Sequence, residues 1–262
     1  MKRNIQHRNT QQRRHAIMQL LQEQGEVSVE QLVQLFDTSE VTIRKDLTAL
    51  ESNGFLLRKY GGAILMPQEI IEEEQDDELS QRKLVLAKAA AERIRDHNRI
   101  IVDRDSGSTT AALIKQLNRK QGLVVMTNSL SVATALRSLE NEPTLLMTGG
   151  TWDTRSESFQ GNIAEQVLRS YDFDQLFIGA DGIDLERGTT TFNELVRLSQ
   201  VMAEVSREVI VMVESQKIGR KMPNVELTWQ QIDVLITDNK LSQADKEAIM
   251  AQGVEVICVD VA

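Results

Sequence analysis

Apolar residues at Ile17, Leu20 and Leu21 recur at the i, i+3, i+4 spacing of a helix face, and Gly25 stops the run. Ser28 stands three residues before Gln31, a capping-box spacing, so a second short helix with Leu32, Leu35 and Phe36 on its apolar side is predicted to begin there. Asp37-Thr38-Ser39 supplies turn chemistry. Ser39 can cap a third helix that runs to about Asn53, where Gly54 offers a left-handed stop. Two helices about so tight a turn predict a helix-turn-helix. The β-prone runs Phe55–Tyr60 and Ala63–Leu65 about Gly61-Gly62 then predict a hairpin, the wing.

From Gln81 onward the period changes. Apolar runs at 100–102, 123–126, 144–147, 176–179, 209–213, 234–237 and 254–259 alternate with helix-length segments. Continuous apolar strands separated by helices predict a largely parallel sheet covered on both faces. The fold class is therefore α/β: an N-terminal winged helix-turn-helix joined to a larger Rossmann-like domain.

A length of 262 residues suits a small domain joined to a large one, and 41% hydrophobic with 26% charged residues is an ordinary globular balance. No apolar run reaches the roughly 18–20 residues of a membrane span, and the opening Met1–Gln6 has no apolar stretch behind its charges, so a cytoplasmic protein with no membrane partner is predicted. The single cysteine, Cys258, lies in V-E-V-I-C-V and reads as a packed strand residue; His7, His15 and His97 share no metal-ligand spacing. Neither a metal site nor a cofactor is predicted.

The net charge of −9 argues against nucleic acid until it is divided. Residues 1–66 hold nine Lys/Arg and seven Asp/Glu, or +2, leaving −9 − 2 = −11 for the rest. Lys2, Arg3, Arg8, Arg13 and Arg14 all precede the first acid, Glu23. Screening confines each charge to about 8–10 Å, so a local basic face can bind phosphates on an acidic molecule. Between the parts, Glu69–Glu78 carries seven acids and no base, the composition of a self-repelling connector. The predicted boundaries are 1–66 for the head, 67–79 for the acidic linker and 80–262 for the body.

The head offers nucleic-acid chemistry. With Ile43, Leu47 and Leu50 on the inner face of the third helix, Ser39, Thr42 and Lys45 point outward with Arg44 on the flank: small hydroxyls for close approach, and cations for guanine edges or phosphate. Arg58 and Lys59 on the wing suit the DNA backbone. Asp46, near the apolar edge of the helix, is assigned to an intramolecular pair with a neighbouring arginine.

The body offers an anion site. Ligands of parallel sheets bind beyond the carboxyl ends of the strands. There stand Asp103-Arg104-Asp105-Ser106-Gly107-Ser108-Thr109-Thr110, then Thr127-Asn128-Ser129, then Thr148-Gly149-Gly150, hydroxyls and glycine amides suited to cradling a phosphate. Further on, Asp181, Asn193 and Glu194 suit sugar hydroxyls and Lys217 suits a phosphate.

The stretch E-V-T-I-R-K-D-L-T-A-L-E-S-N-G-F-L-L-R-K-Y-G-G-A resembles the signature of the DeoR family of bacterial sugar-operon repressors, through Thr42–Leu47, Leu50–Gly54 and Arg58–Ala63. The body resembles that family's effector domain, itself similar to ribose-5-phosphate isomerase, through D-S-G-S-T-T, T-N-S-L, T-G-G, S-F-x-G, G-A-D-G-I-D, T-T-F-N-E and S-x-K, with wording nearest the glucitol, galactitol and N-acetylgalactosamine operon repressors. The resemblance implies a phosphorylated hexitol or hexose as ligand. The chain departs from the pattern at Arg104-Asp105, at Asp153 where relatives carry arginine and Arg155 is the nearest substitute, and around Lys217 at Glu214, Gln216 and Ile218.

The predicted function is a transcriptional regulator, a repressor of a carbohydrate or sugar-alcohol operon, which grips double-stranded operator DNA as a homo-oligomer, dimer or tetramer, under control of a phosphorylated sugar or polyol. The alternative is a sugar-phosphate isomerase-like enzyme. Against it, Glu186-Arg187-Gly188-Thr189-Thr190 stands where the isomerase pattern has lysine before a glycine run, and without that lysine the proton-transfer set of Asp181 and Glu194 is incomplete.

Overall fold

A computed structural model describes residues 10–51, 56–65, 81–103, 109–154, 156–191, 193 and 195–261. The chain divides into two compact units, Met1–Asp76 and Asp77–Ala262.

In the first unit three helices, α1 (Thr10–Gln24), α2 (Val29–Phe36) and α3 (Glu40–Glu51), enclose a core of Ile17, Leu21, Leu32, Ile43, Leu47 and Leu56, none of which is accessible to water. Both halves of the capping box form at the start of α2. Gln31 N donates to Ser28 Oγ at 3.0 Å, and Ser28 N donates to the Gln31 side chain. Asp37 closes α2 in the left-handed region at φ 47°, and Ser39 Oγ accepts Thr42 N to start α3. The wing is the antiparallel pair β2 (Leu56–Lys59) and β3 (Gly62–Leu65). Helix three's predicted end at Asn53-Gly54 lies outside the described residues.

Two features of this unit differ from the sequence reading. A third strand, β1 (Glu26–Ser28), pairs with β3 and makes the wing three-stranded. Three residues are too few for a period-2 signal. Gly62 permits the pairing, since a Cβ there would stand 2.2 Å from Val27 O. Leu35 does not join the apolar face of α2. It is 38% exposed, and Val29 with Leu32 and Phe36 fills the face at the i, i+3, i+7 spacing instead.

The second unit is a seven-stranded parallel sheet. Its strands are β4 (Arg99–Val102), β5 (Val124–Thr127), β6 (Thr144–Met147), β9 (Phe173–Ile178), β12 (Ser206–Met212), β14 (Val234–Asp238) and β15 (Glu255–Val259), in the order β15-β14-β12-β9-β4-β5-β6. Successive residues of each strand face opposite layers. Ile100 and Val102 pack with α4 (Gln81–Glu92), α5 (Thr109–Gln116) and α6 (Leu130–Arg137), while Ile101 packs with α7 (Asn162–Leu168), α8 (Arg197–Glu204) and α9 (Gln243–Met250). Both faces are thus buried, which is why the strands read as unbroken apolar runs. A hairpin, β7 (Thr151–Asp153) with β8 (Ser158–Gln160), follows β6, and a small antiparallel sheet joins β10 (Gly182–Asp184), β11 (Gly188–Thr191) and β13 (Asn224–Thr228). Cys258 is exposed rather than packed, because β15 is an edge strand with a neighbour on one side only.

Candidate nucleic-acid interface and effector site

Helix α3 carries the head's candidate interface. Its buried side holds Ile43, Asp46, Leu47 and Leu50. Besides Glu40 at its first position, its exposed residues Val41, Arg44, Lys45 and Thr48 follow the i, i+3, i+4, i+7 spacing and form one stripe. Arg44 reaches back to Glu40 at 2.6 Å, an exposed pair worth a few tenths of a kcal/mol, so it can be redirected at little cost. Ser39 and Thr42 share a hydrogen bond of 2.9 Å between their hydroxyls. Thr48 Oγ1 donates to Arg44 O and accepts Arg58 Nη1 at 3.1 Å. Lys59 pairs with Glu26 on β1, and Arg58 N donates to Glu51. The two wing cations are therefore tied to the head's own framework, and the apex of the wing presents a fully exposed Tyr60.

Asp46 is 2% exposed and accepts Arg13 Nε at 2.5 Å and Arg14 Nε at 2.9 Å. The carboxylate thereby fastens α3 to α1. A buried charge is tolerated only when paired in this way.

In the second unit the sheet reverses direction of growth at β4: the chain adds β5 and β6 on one side, then crosses to β9 on the other. The crevice beyond the carboxyl ends of β4 and β9 is the switch point of such a sheet. Thr127, the last residue of β5, and Ser129 beyond it are wholly buried, Asn128 is 2% exposed, and the α5 start at Thr109 and Thr110 is buried as well. Ser129 caps α6, with Val132 N donating to its Oγ. The β7–β8 hairpin lies against this loop, since Phe159 N donates to Asn128 O and Ser129 bridges to Ser158. Gly150, at φ +108°, lets the chain pass beside it, because a Cβ would stand 2.5 Å from Gln160 O. Asp153 accepts both the amide and the hydroxyl of Ser156, which turns the hairpin.

Beyond β9, Asp181 is 5% exposed and accepts Thr191 Oγ1 at 2.6 Å; Asn193 N donates to the same Thr191 oxygen. Lys217 is 6% exposed in the short turn Ser215–Lys217 that follows β12, so it is not a surface lysine. Asp105, Ser106, Gly107, Ser108, Arg155 and Glu194 lie outside the described residues.

Asp103 and Thr148 of the predicted loops and Glu214 beside Lys217 are joined at this edge by groups that the sequence reading did not name, Asp238, Ser199, Glu226 and Arg220. Asp103, Thr148, Glu214 and Asp238 are each buried at a strand's carboxyl end. Ser199 on α8 donates to Asp103 at 3.3 Å and to Glu226 at 2.9 Å. Arg220 Nη1 reaches Asp181 O at 3.5 Å. For Asp238 the signal is position, a polar residue at the end of an apolar strand of a parallel sheet; Ser199, on a helix, and Arg220, beyond the turn, carry no such signal. Burial pushes the Asp238 carboxyl up, yet donation from the Ser215 hydroxyl and amide and the Lys240 amide, with Arg82 nearby, holds it below its ordinary value. Asp184 behaves alike: burial is outweighed by the Glu186 amide, Arg187 and Lys221. Among the described residues, no group of His, Cys, Asp and Glu is arranged to hold a metal ion, and no helix is long and apolar enough to cross a membrane.

Residues 13–69 match the DeoR-like helix-turn-helix domain, and residues 78–239 match the DeoR C terminal sensor domain. The chain belongs to the DeoR family. Its fold class and its standing as a transcriptional regulator follow from both matches. This DeoR-family chain is 40% identical over 256 residues to a protein of Escherichia coli O157:H7 that carries the name of an aga operon transcriptional repressor, covering 95% of this chain and 94% of that one. It is 29% identical to the glycerol-3-phosphate regulon repressor of Escherichia coli K12, covering 87% and 90%. Ribose 5-phosphate isomerase A of Methanocaldococcus jannaschii bears a loose likeness, with a TM-score of 0.36 and 19% identity over 52% of this chain and 53% of that one.

Proposed function

We propose that the chain is a repressor of a carbohydrate or amino-sugar operon, in which residues 1–66 grip operator DNA and residues 80–262 sense a phosphorylated sugar or polyol across the acidic connector 67–79. The observation that supports this most strongly is the gathering of buried polar groups, Asn128, Thr148, Asp181 and Lys217 among them, at the carboxyl edge of one sheet in a chain that also carries a helix-turn-helix. Polar side chains are buried only where partners or a ligand satisfy them. In this reading the strand-end amides and hydroxyls, with Lys217, hold the phosphate, while Asp181 and Asn193 meet sugar hydroxyls. Ser39, Thr42, Arg44, Lys45, Arg58 and Lys59 serve the duplex, and the protein works in the cytoplasm as a homo-oligomer on a two-fold site.

The sensor acts by binding and not by catalysis. Arg187, in the segment where the isomerase pattern has its lysine, is paired at 2.5 Å with Asp184. The test is selection of duplexes from a randomised pool by the full-length protein, followed by titration of the selected duplex with a panel of sugar and polyol phosphates. A selected sequence whose affinity one of these compounds shifts supports the proposal. Selection of nothing, or turnover of a sugar phosphate, overturns it.

A further inference from the structure

We propose that Val41 reads a thymine through its 5-methyl group, an inference that rests on the DNA-binding reading above and names a residue the sequence patterns did not single out. Val41 stands in the first turn of α3, is 63% exposed, and belongs to no buried cluster of the head. A lone apolar residue on a surface needs no explanation. This one lies on a stripe with Arg44 and Lys45, at the end of a recognition helix that ordinarily meets base edges.

The polar groups on that side carry hydrogen bonds of their own, which the duplex can replace. The Ser39 and Thr42 hydroxyls bond to each other, and Thr48 Oγ1 bonds to Arg44 O and Arg58. On the exposed stripe of Val41, Arg44, Lys45 and Thr48, Val41 is the one apolar side chain. In the major groove the base pairs present one apolar group, the thymine methyl. Valine in a helix holds essentially one χ1 rotamer, so its two methyls form a rigid contact that loses little entropy on docking.

The experiment uses the full-length protein and a duplex it selects from a randomised pool, with each thymine of the footprint replaced in turn by deoxyuridine, which deletes that methyl alone. Affinities are measured by fluorescence anisotropy for wild type and for Val41→Ala. The proposal requires one thymine in each half-site whose replacement weakens wild type by about fourfold, the effect of one buried methyl-sized group. It also requires that Val41→Ala bind the thymine and deoxyuridine duplexes equally. Because Val41 is outside the core, the variant keeps the wild-type far-ultraviolet ellipticity. The proposal is overturned if the half-site holds no thymine, if no deoxyuridine weakens binding, or if Val41→Ala suffers the same deoxyuridine penalty as wild type. Those results leave the DNA-binding reading standing. Failure of the wild type to select any duplex at low salt overturns both.

Discussion

Replacing Asp46 by asparagine tests whether charge holds the recognition helix in place. The carboxylate accepts Arg13 Nε at 2.5 Å and Arg14 Nε at 2.9 Å while itself 2% exposed. A charge-assisted hydrogen bond of this kind contributes about 1.5–3 kcal/mol when desolvated. Arg13, with 13% of its side chain exposed, retains most of that value; Arg14, at 34%, is screened and adds about 0.5 kcal/mol. Asparagine keeps one acceptor oxygen, so the predicted net loss is about 2 kcal/mol. With a urea slope of about 1 kcal/mol per molar for so small a unit, the midpoint falls by about 2 M. The full-length protein is unfolded in urea under two probes, far-ultraviolet ellipticity and tryptophan fluorescence, because both tryptophans, Trp152 and Trp229, lie in the second unit. The part of the ellipticity change that belongs to the head moves to lower urea while the fluorescence transition stays. An unmoved ellipticity trace refutes the ion-pair reasoning, and movement of both traces refutes the independence of the two units.

Arg44→Ala and Lys45→Ala are each predicted to weaken duplex binding and to lower the slope of log affinity against log salt by about 1, which anisotropy titrations at several salt concentrations check. Gly150→Ala is predicted to displace the β7–β8 hairpin, since its Cβ would meet Gln160 O at 2.5 Å; its melting temperature drops and any thermal shift by a sugar phosphate shrinks with it. The Asp238 carboxyl is held below its ordinary value of 3.8 in the folded state, so its contribution is present above that pH and is lost as pH falls through the lower folded value. Asp238→Asn is therefore predicted to be less stable than wild type at pH 7 and to converge on it in strong acid, as read by tryptophan-monitored melting across pH.

Much of the fold is legible in the chain because both faces of the large sheet are buried. The stretches Ile100–Val102, Val209–Met212 and Val234–Ile236 are apolar throughout and stand in β4, β12 and β14. In the head, Ser28 with Gln31 and Ser39 with Thr42 announce helix starts by local chemistry that needs no tertiary context. What escaped the sequence depends on neighbours. The three-residue β1 exists because β3 offers it an edge, and Cys258 is exposed because β15 has no partner beyond it. Asp46 was legible as an ion-pair residue because an acid on the apolar side of a helix must find a cation. The engagement of Lys59 with Glu26 was not, because Glu26 is an exposed acid on a three-residue strand and nothing obliges it to find a cation. At the strand ends, Thr127, Asn128 and Ser129 stood out by composition, whereas Asp238 did not, since a single acid at the end of a strand carries no pattern of its own.

In the proposed repressor a DNA-reading head answers to a ligand held in the sensor domain of the same chain. This coupling is tested most directly by measuring, with full-length wild type and Lys217→Ala, the affinity for a selected duplex with and without a panel of sugar and polyol phosphates that includes N-acetylgalactosamine 6-phosphate. One of these compounds is predicted to shift wild-type affinity, while Lys217→Ala binds the duplex normally and ignores the compound. A duplex affinity that no phosphate moves, or a shift that Lys217→Ala retains in full, contradicts this coupling.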